Sequence, residues 1–253
     1  MEKISVIIPC KNEEHNIEEV LQSVQWADEI MVVDSFSADN TVEIAKKYTQ
    51  FILVHEYNNP ASQKNWAIPQ ASHQWILLVD ADERVTPELK QEIQNVLNNS
   101  AEHAAYWIYR ENYFMGRKML YCGMQRDKVV RLFKRDHCRY EDKLVHEEII
   151  TGGSLGFLKH KLIHHSFKDM QSYLDKINRY TLWSALDYHK KTSVITGYHL
   201  VFKPFFKFFQ FYILKMGFLD GFPGFVVSAL ASYTVLLRYV KLKNLRKTGE
   251  IGV

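Results

Sequence analysis

Four short runs rich in aliphatic residues, ISVIIP at 4–9, EIMVVD at 29–34, FILV at 51–54 and WILLVD at 75–80, recur along the first eighty residues with helix-patterned stretches between them. No other feature constrains the fold as tightly. After the first run, Ile17, Val20, Leu21 and Val24 fall at helical spacing, with Asn12 as the expected N-cap and acidic residues in the first turn to suit the helix dipole. TVEIAKKY (41–48) and ASQKNWAIPQA (61–71) supply the next two helices. TPELKQEIQNVLNN then offers Thr86 as N-cap and Pro87 at the first helical position. Strands and helices alternating at this spacing predict an α/β fold whose parallel strands are joined by right-handed crossovers.

From about 104 to 165 the pattern changes to strand-like pieces, AAYWIYRENYF, KVVRLFK and GFLKHKLIHHSF, separated by Gly-containing turns, so the central sheet is expected to be mixed. Residues 169–191 read as a helix. The tail differs in kind: eleven of the residues between 198 and 225 are Phe or Tyr, interrupted by Lys203, Lys207 and Lys215. These aromatics read as surrounding the helix instead of forming a stripe, which suits an interfacial helix whose ammonium groups reach anionic lipid. Residues 221–237 then carry no charge between Asp220 and Arg238, near the lower limit for a bilayer span. A monotopic or re-entrant attachment is favoured over a true span. The expected organisation is a catalytic domain over 1–195 and a membrane-attaching or dimer-forming tail over 196–253.

Charge and cysteine content narrow the function. Residues 1–199 hold 24 Lys+Arg against 27 Asp+Glu, while residues 200–253 hold 8 against 2. The front therefore lacks the basic face that a nucleic-acid partner requires, and the basic tail suits the cytoplasmic face of a membrane. Cys10, Cys122 and Cys138 are odd in number and form no CxxC pair, which fits a reducing compartment and argues against a disulfide framework or zinc site. The opening MEKISVIIPCKNEE lacks a signal-peptide pattern, so a cytoplasmic location is expected.

Ligands of open parallel sheets bind beyond the carboxyl ends of the strands. That rule gathers PCKNEE, VVDSFSADNT and DADE at one edge. In an extended segment Asp80 and Asp82 face the same way and repel unless a cation sits between them, and oxygen ligands suit Mg²⁺ or Mn²⁺. Mg²⁺ commonly takes one or two carboxylates plus phosphate oxygens, which implies a diphosphate-bearing substrate. The plainer alternative is a solvated acidic turn before a helix, the role expected of Glu83.

The ordered stretches SVIIPCKNEEHNIEEVLQSV, EIMVVDSFSADNTVEIAKKY, SQKNWAI, WILLVDADERV and LVHEEI resemble family 2 glycosyltransferases of the GT-A fold. The similarity is greatest to the subgroup that adds sugars to lipopolysaccharide core or related bacterial glycans, and it covers roughly residues 1–190. It implies a Rossmann-like nucleotide-diphospho-sugar transferase that moves a sugar, with inversion, from a nucleotide-diphosphate sugar to a hydroxyl of a lipid-linked or oligosaccharide acceptor. Pro9, Lys11 and Glu13 would line the nucleotide pocket, Asp34 would read the base or ribose, and Lys64 would approach the diphosphate. Asp80 would lie toward the ribose. Asp82 would bind the divalent metal, completed by His164 or its neighbour His165. Glu147 in LVHEEI is the implied base, oriented by His146, with Asp142 in YEDK as the competitor. One departure stands out: Phe36 occupies a position where the family commonly has Gly, which restricts the backbone near Ser35 and Asp39.

Two other accounts compete. A haloacid-dehalogenase-like phosphatase would use Asp80 as nucleophile, but it wants Thr or Val where this chain has Arg84. A membrane-bound scaffold would keep the fold without activity, in which case no nucleotide sugar binds.

Overall fold

The structure, a computed structural model, describes residues 2–99, 102–141, 148–167, 169–192 and 194–248. Strands β1 (Ile4–Cys10), β2 (Glu29–Asp34), β3 (Phe51–Val54), β4 (Trp75–Leu78), β5 (Glu83–Val85) and β6 (Ala105–Phe114) are followed by the short β7 (Arg117–Lys118) and by β8 (Lys128–Lys134). After these come β9 (Cys138–Tyr140), β10 (Ile149–Thr151), β11 (Leu155–Phe157) and β12 (Leu162–His165). The helices are α1 (Ile17–Val24), α2 (Thr41–Ala45), α3 (Pro60–Ala67), α4 (Pro87–Asn98), α5 (Met170–Lys191), α6 (Lys203–Phe209) and α7 (Gly221–Thr248).

The main sheet runs in the order β3-β2-β1-β4-β8-β6-β12-β5, with β11 and β7 also pairing with β6. β1, β2, β3 and β4 are mutually parallel neighbours, whereas β8 is antiparallel to both β4 and β6, so the sheet is mixed as the sequence predicts. Side chains alternate across it. Val6, Ile8, Val32 and Leu77 pack in one layer with α1 and α4, and Ile7, Met31, Val33, Ile76 and Leu78 pack in another with α3. A parallel sheet covered on both faces needs such continuous apolar runs. The helical spacing in α1 is confirmed, since Ile17, Val20, Leu21 and Val24 are fully buried, each worth about 1.5–3 kcal/mol. In α4 the Thr86 hydroxyl accepts from the Leu89 N–H at 3.2 Å and Pro87 begins the helix.

Asn12 does not cap α1. The helix starts at Ile17, while Asn12 has φ +54° and its side-chain oxygen accepts from the Ala38 N–H at 2.8 Å. The residue is taken by the neighbouring loop. Phe36 has φ +56°, so the backbone keeps the left-handed turn that favours glycine, and its ring is 65% exposed. Phe36→Gly is expected to raise stability by up to about 1 kcal/mol, because relief of about 1–2 kcal/mol exceeds the added unfolded-chain entropy of about 0.4–1 kcal/mol. Denaturant unfolding of the two proteins checks this.

Packing divides the chain into two compact units, one holding Met1–Glu111 with Arg126–His164 and the other Asn112–Gln125 with His165–Val253. The second groups α5 with the tail helices, and the limits 1–195 and 196–253 remain a proposal. In this unit Asp220 accepts from the N–H groups of Leu120 and Tyr121 at 3.0 and 2.9 Å. Gly224 is required there, because a Cβ would meet the Gly217 carbonyl oxygen at 1.9 Å. Helix α6 lies between π-helical turns at Tyr198–Phe202 and Gln210–Leu214.

Two tail expectations are corrected. Tyr198, Val201, Phe202, Phe205, Phe206, Phe209 and Ile213 are exposed at spacings of three or four, so the outward apolar residues do form a stripe. The inner residues of the same segment, Leu200, Pro204 and Phe211 among them, are buried or half-buried. The lysines also turn inward: Lys203 Nζ donates to the Tyr239 hydroxyl at 2.7 Å, and Lys207 and Lys215 each lie 4.3 Å from the Phe211 ring centroid. The stretch Gly217–Thr248 is long and apolar enough, by length and composition, to cross a membrane.

Candidate active site

Register places the first two sheet-edge loops side by side, with Cys10 ending β1 opposite Asp34 ending β2. Hydrogen bonds then stitch them together. The Asn12 N–H donates to Ser37 Oγ at 2.8 Å, the Glu13 N–H to Thr41 Oγ1 at 2.8 Å and the Glu14 N–H to Asp39 at 3.1 Å. Asp34 is 2% exposed, its Oδ2 accepts from the Ser37 N–H at 3.0 Å, and the Cys10 thiol lies 3.8 Å from Oδ1. Burial and then the Asp34 charge push the Cys10 thiol far up, so it stays protonated. Pro9 is half-buried beside the exposed Lys11, and Glu13 accepts from the Asn16 side chain at 2.8 Å.

Lys64 comes from α3, whose start is fixed by a reciprocal cap between Asn59 and Ser62. It is 8% exposed, with Nζ 4.8 Å from the Tyr140 ring centroid. The Asn65 side-chain amide donates to the Tyr140 carbonyl and accepts from the Tyr140 N–H, both at 2.9 Å, which brings β9 to α3. Gln63 also donates to Ser35 at 2.5 Å, tying α3 to the β2 loop.

The acidic cluster differs from the extended pair expected. Residues 81 and 82 form a turn, and Arg84 clamps it by donating to the carbonyl oxygens of Ala81 and Glu83 at 2.8 and 2.9 Å. Asp80 pairs with Arg131, while Asp82 Oδ2 lies 3.4 Å from His164 Nε2. The two aspartates therefore have different partners. Burial opposes the Asp80 charge, but Arg131 and then Lys64 and Arg110 outweigh it and hold the carboxyl well below the usual range. His164 stands in β12 opposite Glu83 and beside Asp82, whereas the His165 ring packs against Tyr113.

Glu83 is the second correction. It is completely buried, pairs with Arg131 at 2.8 Å and Arg110 at 3.4 Å, and accepts from the Asp80 N–H at 3.0 Å. Arg110 also pairs with Asp127 at 2.8 Å. Far from decorating a turn, Glu83 anchors the arginines that position Asp80. Sequence reading missed Arg110 and Arg131, although an arginine within the apolar run KVVRLFK was a signal.

Asp142, His146 and Glu147 lie outside the described residues. Their flanks are placed: the Glu141 N–H donates to the Glu148 carbonyl at 2.8 Å, closing the segment between β9 and β10. Among the described residues no group of three or more His, Cys, Asp or Glu side chains is arranged to hold a metal. The Asp82–His164 pair nevertheless fits a divalent ion that also takes phosphate and water oxygens, since it joins a carboxylate to an imidazole nitrogen. Asp80, the nucleophile that the phosphatase reading requires, is paired with Arg131. A separate surface hollow, lined by Glu2, Ser72, His73 and Lys134 among others, includes none of these acids.

Residues 5–160 match the profile of the family described as "Glycosyl transferase family 2". An uncharacterised glycosyltransferase of Rickettsia typhi is 28% identical, covering 97% of this chain and 88% of its own. The lipopolysaccharide core biosynthesis glycosyltransferase LpsC of Rhizobium meliloti is 26% identical, covering 94% and 91%. The crystal structure of S. aureus TarS 1–349 in complex with UDP-GlcNAc aligns over 98% of this chain and 92% of that one, with a TM-score of 0.50 and 16% identity, a likeness of GT-A fold.

Proposed function

The chain belongs to glycosyl transferase family 2, and from that premise we propose that it is a metal-dependent inverting enzyme that moves a sugar from a nucleotide-diphosphate donor to a hydroxyl of a lipid-linked or lipopolysaccharide-core glycan. The observation that carries this reading is the edge of β4, where Asp82 faces His164 while Lys64, Arg131 and Arg110 supply positive charge around Asp80. Pro9, Lys11 and Glu13 line the nucleotide side of the crevice, with Asp34 beneath them. Lys64 meets the diphosphate as a compact cation, and Asp80 is directed to the ribose.

Asp82 and His164 are the residues that would hold the ion. A bound divalent cation supplies Lewis-acid stabilisation to the departing diphosphate, and the imidazole donor favours Mn²⁺ over Mg²⁺. Glu147 takes the proton from the acceptor hydroxyl, whose oxygen attacks the anomeric carbon from the face opposite the leaving nucleoside diphosphate. Glu147→Gln is expected to abolish transfer while leaving donor affinity within about two-fold, as removing a base affects chemistry rather than binding. Retained turnover in Glu147→Gln together with loss in Asp142→Asn, in single-turnover assays, reassigns the base to Asp142.

The tail supports placing the enzyme on the cytoplasmic face of the cell membrane, as a peripheral or monotopic protein, where a lipid-linked acceptor is presented. The exposed stripe through Phe202, Phe205, Phe206 and Phe209 favours this over an ordinary solvated helix. Self-association through the same stripe is the competing use. Fractionation of the full chain without detergent tests it: a soluble dimer contradicts attachment.

A further inference from the structure

Three aromatic rings and an ammonium share one face of the main sheet beyond the carboxyl end of β4. Leu77 of β4 stands opposite Leu132 of β8, so Val130 and Lys128 lie further along β8, past Leu78 and on the side where Asp80 follows. Register sets Trp107 and Tyr109 of β6 against Val130 and Lys128, and Phe157 of β11 against Trp107. Residues two apart on a strand face the same way, which brings Trp107, Tyr109, Lys128 and Phe157 together. The Tyr109 and Phe157 rings are 24° from parallel with centroids 6.4 Å apart, and Lys128 Nζ lies 4.5 Å from the Trp107 centroid and 4.8 Å from that of Phe157.

This shelf adjoins the crevice on its far side. Trp107 packs into the same cluster as Val130, Tyr140 and Ile149, and Lys64 stands over the Tyr140 ring. Tyr140 and Ile149 pair across β9 and β10 and flank the segment that bears the proposed base, Glu147. Sheet order sets β1 and β2, which carry the nucleotide loops, on one side of β4 and sets β8, β6 and β11 on the other, so the shelf belongs to the acceptor side. It is also open: Phe157 is 55% exposed, Lys128 is exposed, and Trp107 and Tyr109 are half-buried. Clustered exposed rings mark a binding surface. Among the described residues no carboxylate pairs with Lys128, and its chain neighbour Asp127 is held by Arg110 at 2.8 Å. Flat apolar rings match the C–H face of a pyranose, whose hydroxyls stay at the wet rim, and the ammonium matches a negative substituent. One ammonium balances the single charge of a carboxylate better than the near-double charge of a phosphate.

We infer that Trp107, Tyr109, Phe157 and Lys128 form the acceptor site: a pyranose ring of the acceptor glycan lies on the aromatic shelf, and Lys128 binds a carboxylate on that sugar. This rests on the glycosyltransferase reading above and specifies its acceptor as an acidic glycan.

The test is calorimetric titration of the full chain with trigalacturonic acid and with its methyl ester, a neutral copy of the same rings, for wild type, Lys128→Gln and Phe157→Ala. Wild type is expected to bind the acid about ten-fold more tightly than the ester, the usual gain from a charge-assisted hydrogen bond. Lys128→Gln should reduce the acid to the affinity of the ester and leave the ester unchanged, while Phe157→Ala should weaken both about five-fold. Hydrolysis of the nucleotide sugar without acceptor should stay within about two-fold of wild type in both variants, because donor binding is untouched. Wild type that binds neither saccharide overturns the site, and so do variants that bind both as wild type does. Equal wild-type affinity for acid and ester overturns the acidic acceptor. A dimer of the free protein that Phe157→Ala separates assigns the shelf to a second copy of the chain and overturns the glycan. Wild type that neither binds nor hydrolyses any donor brings down the glycosyltransferase reading itself, a result distinct from losing saccharide binding alone.

Discussion

Replacing Asp82 by Asn is expected to lower sugar transfer about a thousand-fold, because in the proposed site a neutral amide is a poor ligand for the hard cation that would offset charge at the departing diphosphate. The fold should survive. Asp82 is 24% exposed in its turn, and the backbone there is clamped by Arg84. Raising Mn²⁺ should recover part of the loss, whereas Asp34→Asn, which retains the metal pair, should leave the metal dependence unchanged. Initial rates across a metal titration check this. A variant with wild-type rates and wild-type metal response removes Asp82 from the site.

Glu83→Gln should carry the largest stability effect, about 3–5 kcal/mol, the usual cost of removing one partner from a buried ion pair. The carboxylate is fully buried between Arg131 and Arg110, and Arg131 is 3% exposed, so water cannot replace the lost charge. The loss corresponds to a fall of roughly 10 °C in melting temperature for a protein of this size. Arg131→Met with Glu83→Met should recover much of it, since the pair is removed together. Donor affinity should still fall in that double variant, because Asp80 loses its guanidinium partner. A single variant that melts within 2 °C of wild type contradicts the anchoring role.

What the sequence made legible follows from the periodicities involved. Strands β1 to β4 and helices α1, α3 and α4 carry apolar spacing and cap residues that depend on near neighbours in the chain, and they appear where the pattern put them. Asn12 failed as a cap because its oxygen bonds to Ala38, a partner 26 residues away that no local rule reveals. Glu83 was misread for a related reason: its arginines sit 27 and 48 residues onward in β6 and β8, and their approach depends on strand order. The turn at Asp82 likewise needed Arg84 folded back on its own backbone. Phe36 shows the reverse case, in which a suspected departure from glycine leaves the backbone shape intact. The tail stripe escaped notice because Phe and Tyr sit on both faces of the segment from Tyr198 to Ile213, and only packing against α7 separates the inward rings from the outward ones.

Titration of the purified chain with a panel of nucleotide-diphosphate sugars, with and without Mg²⁺ or Mn²⁺, tests the central claim most directly. One donor should bind in the presence of the metal and be slowly hydrolysed, with binding weakened by chelation and by Asp82→Asn. Absence of binding across the panel, with metal and without it, would contradict the glycosyltransferase account and leave a membrane-bound scaffold in its place.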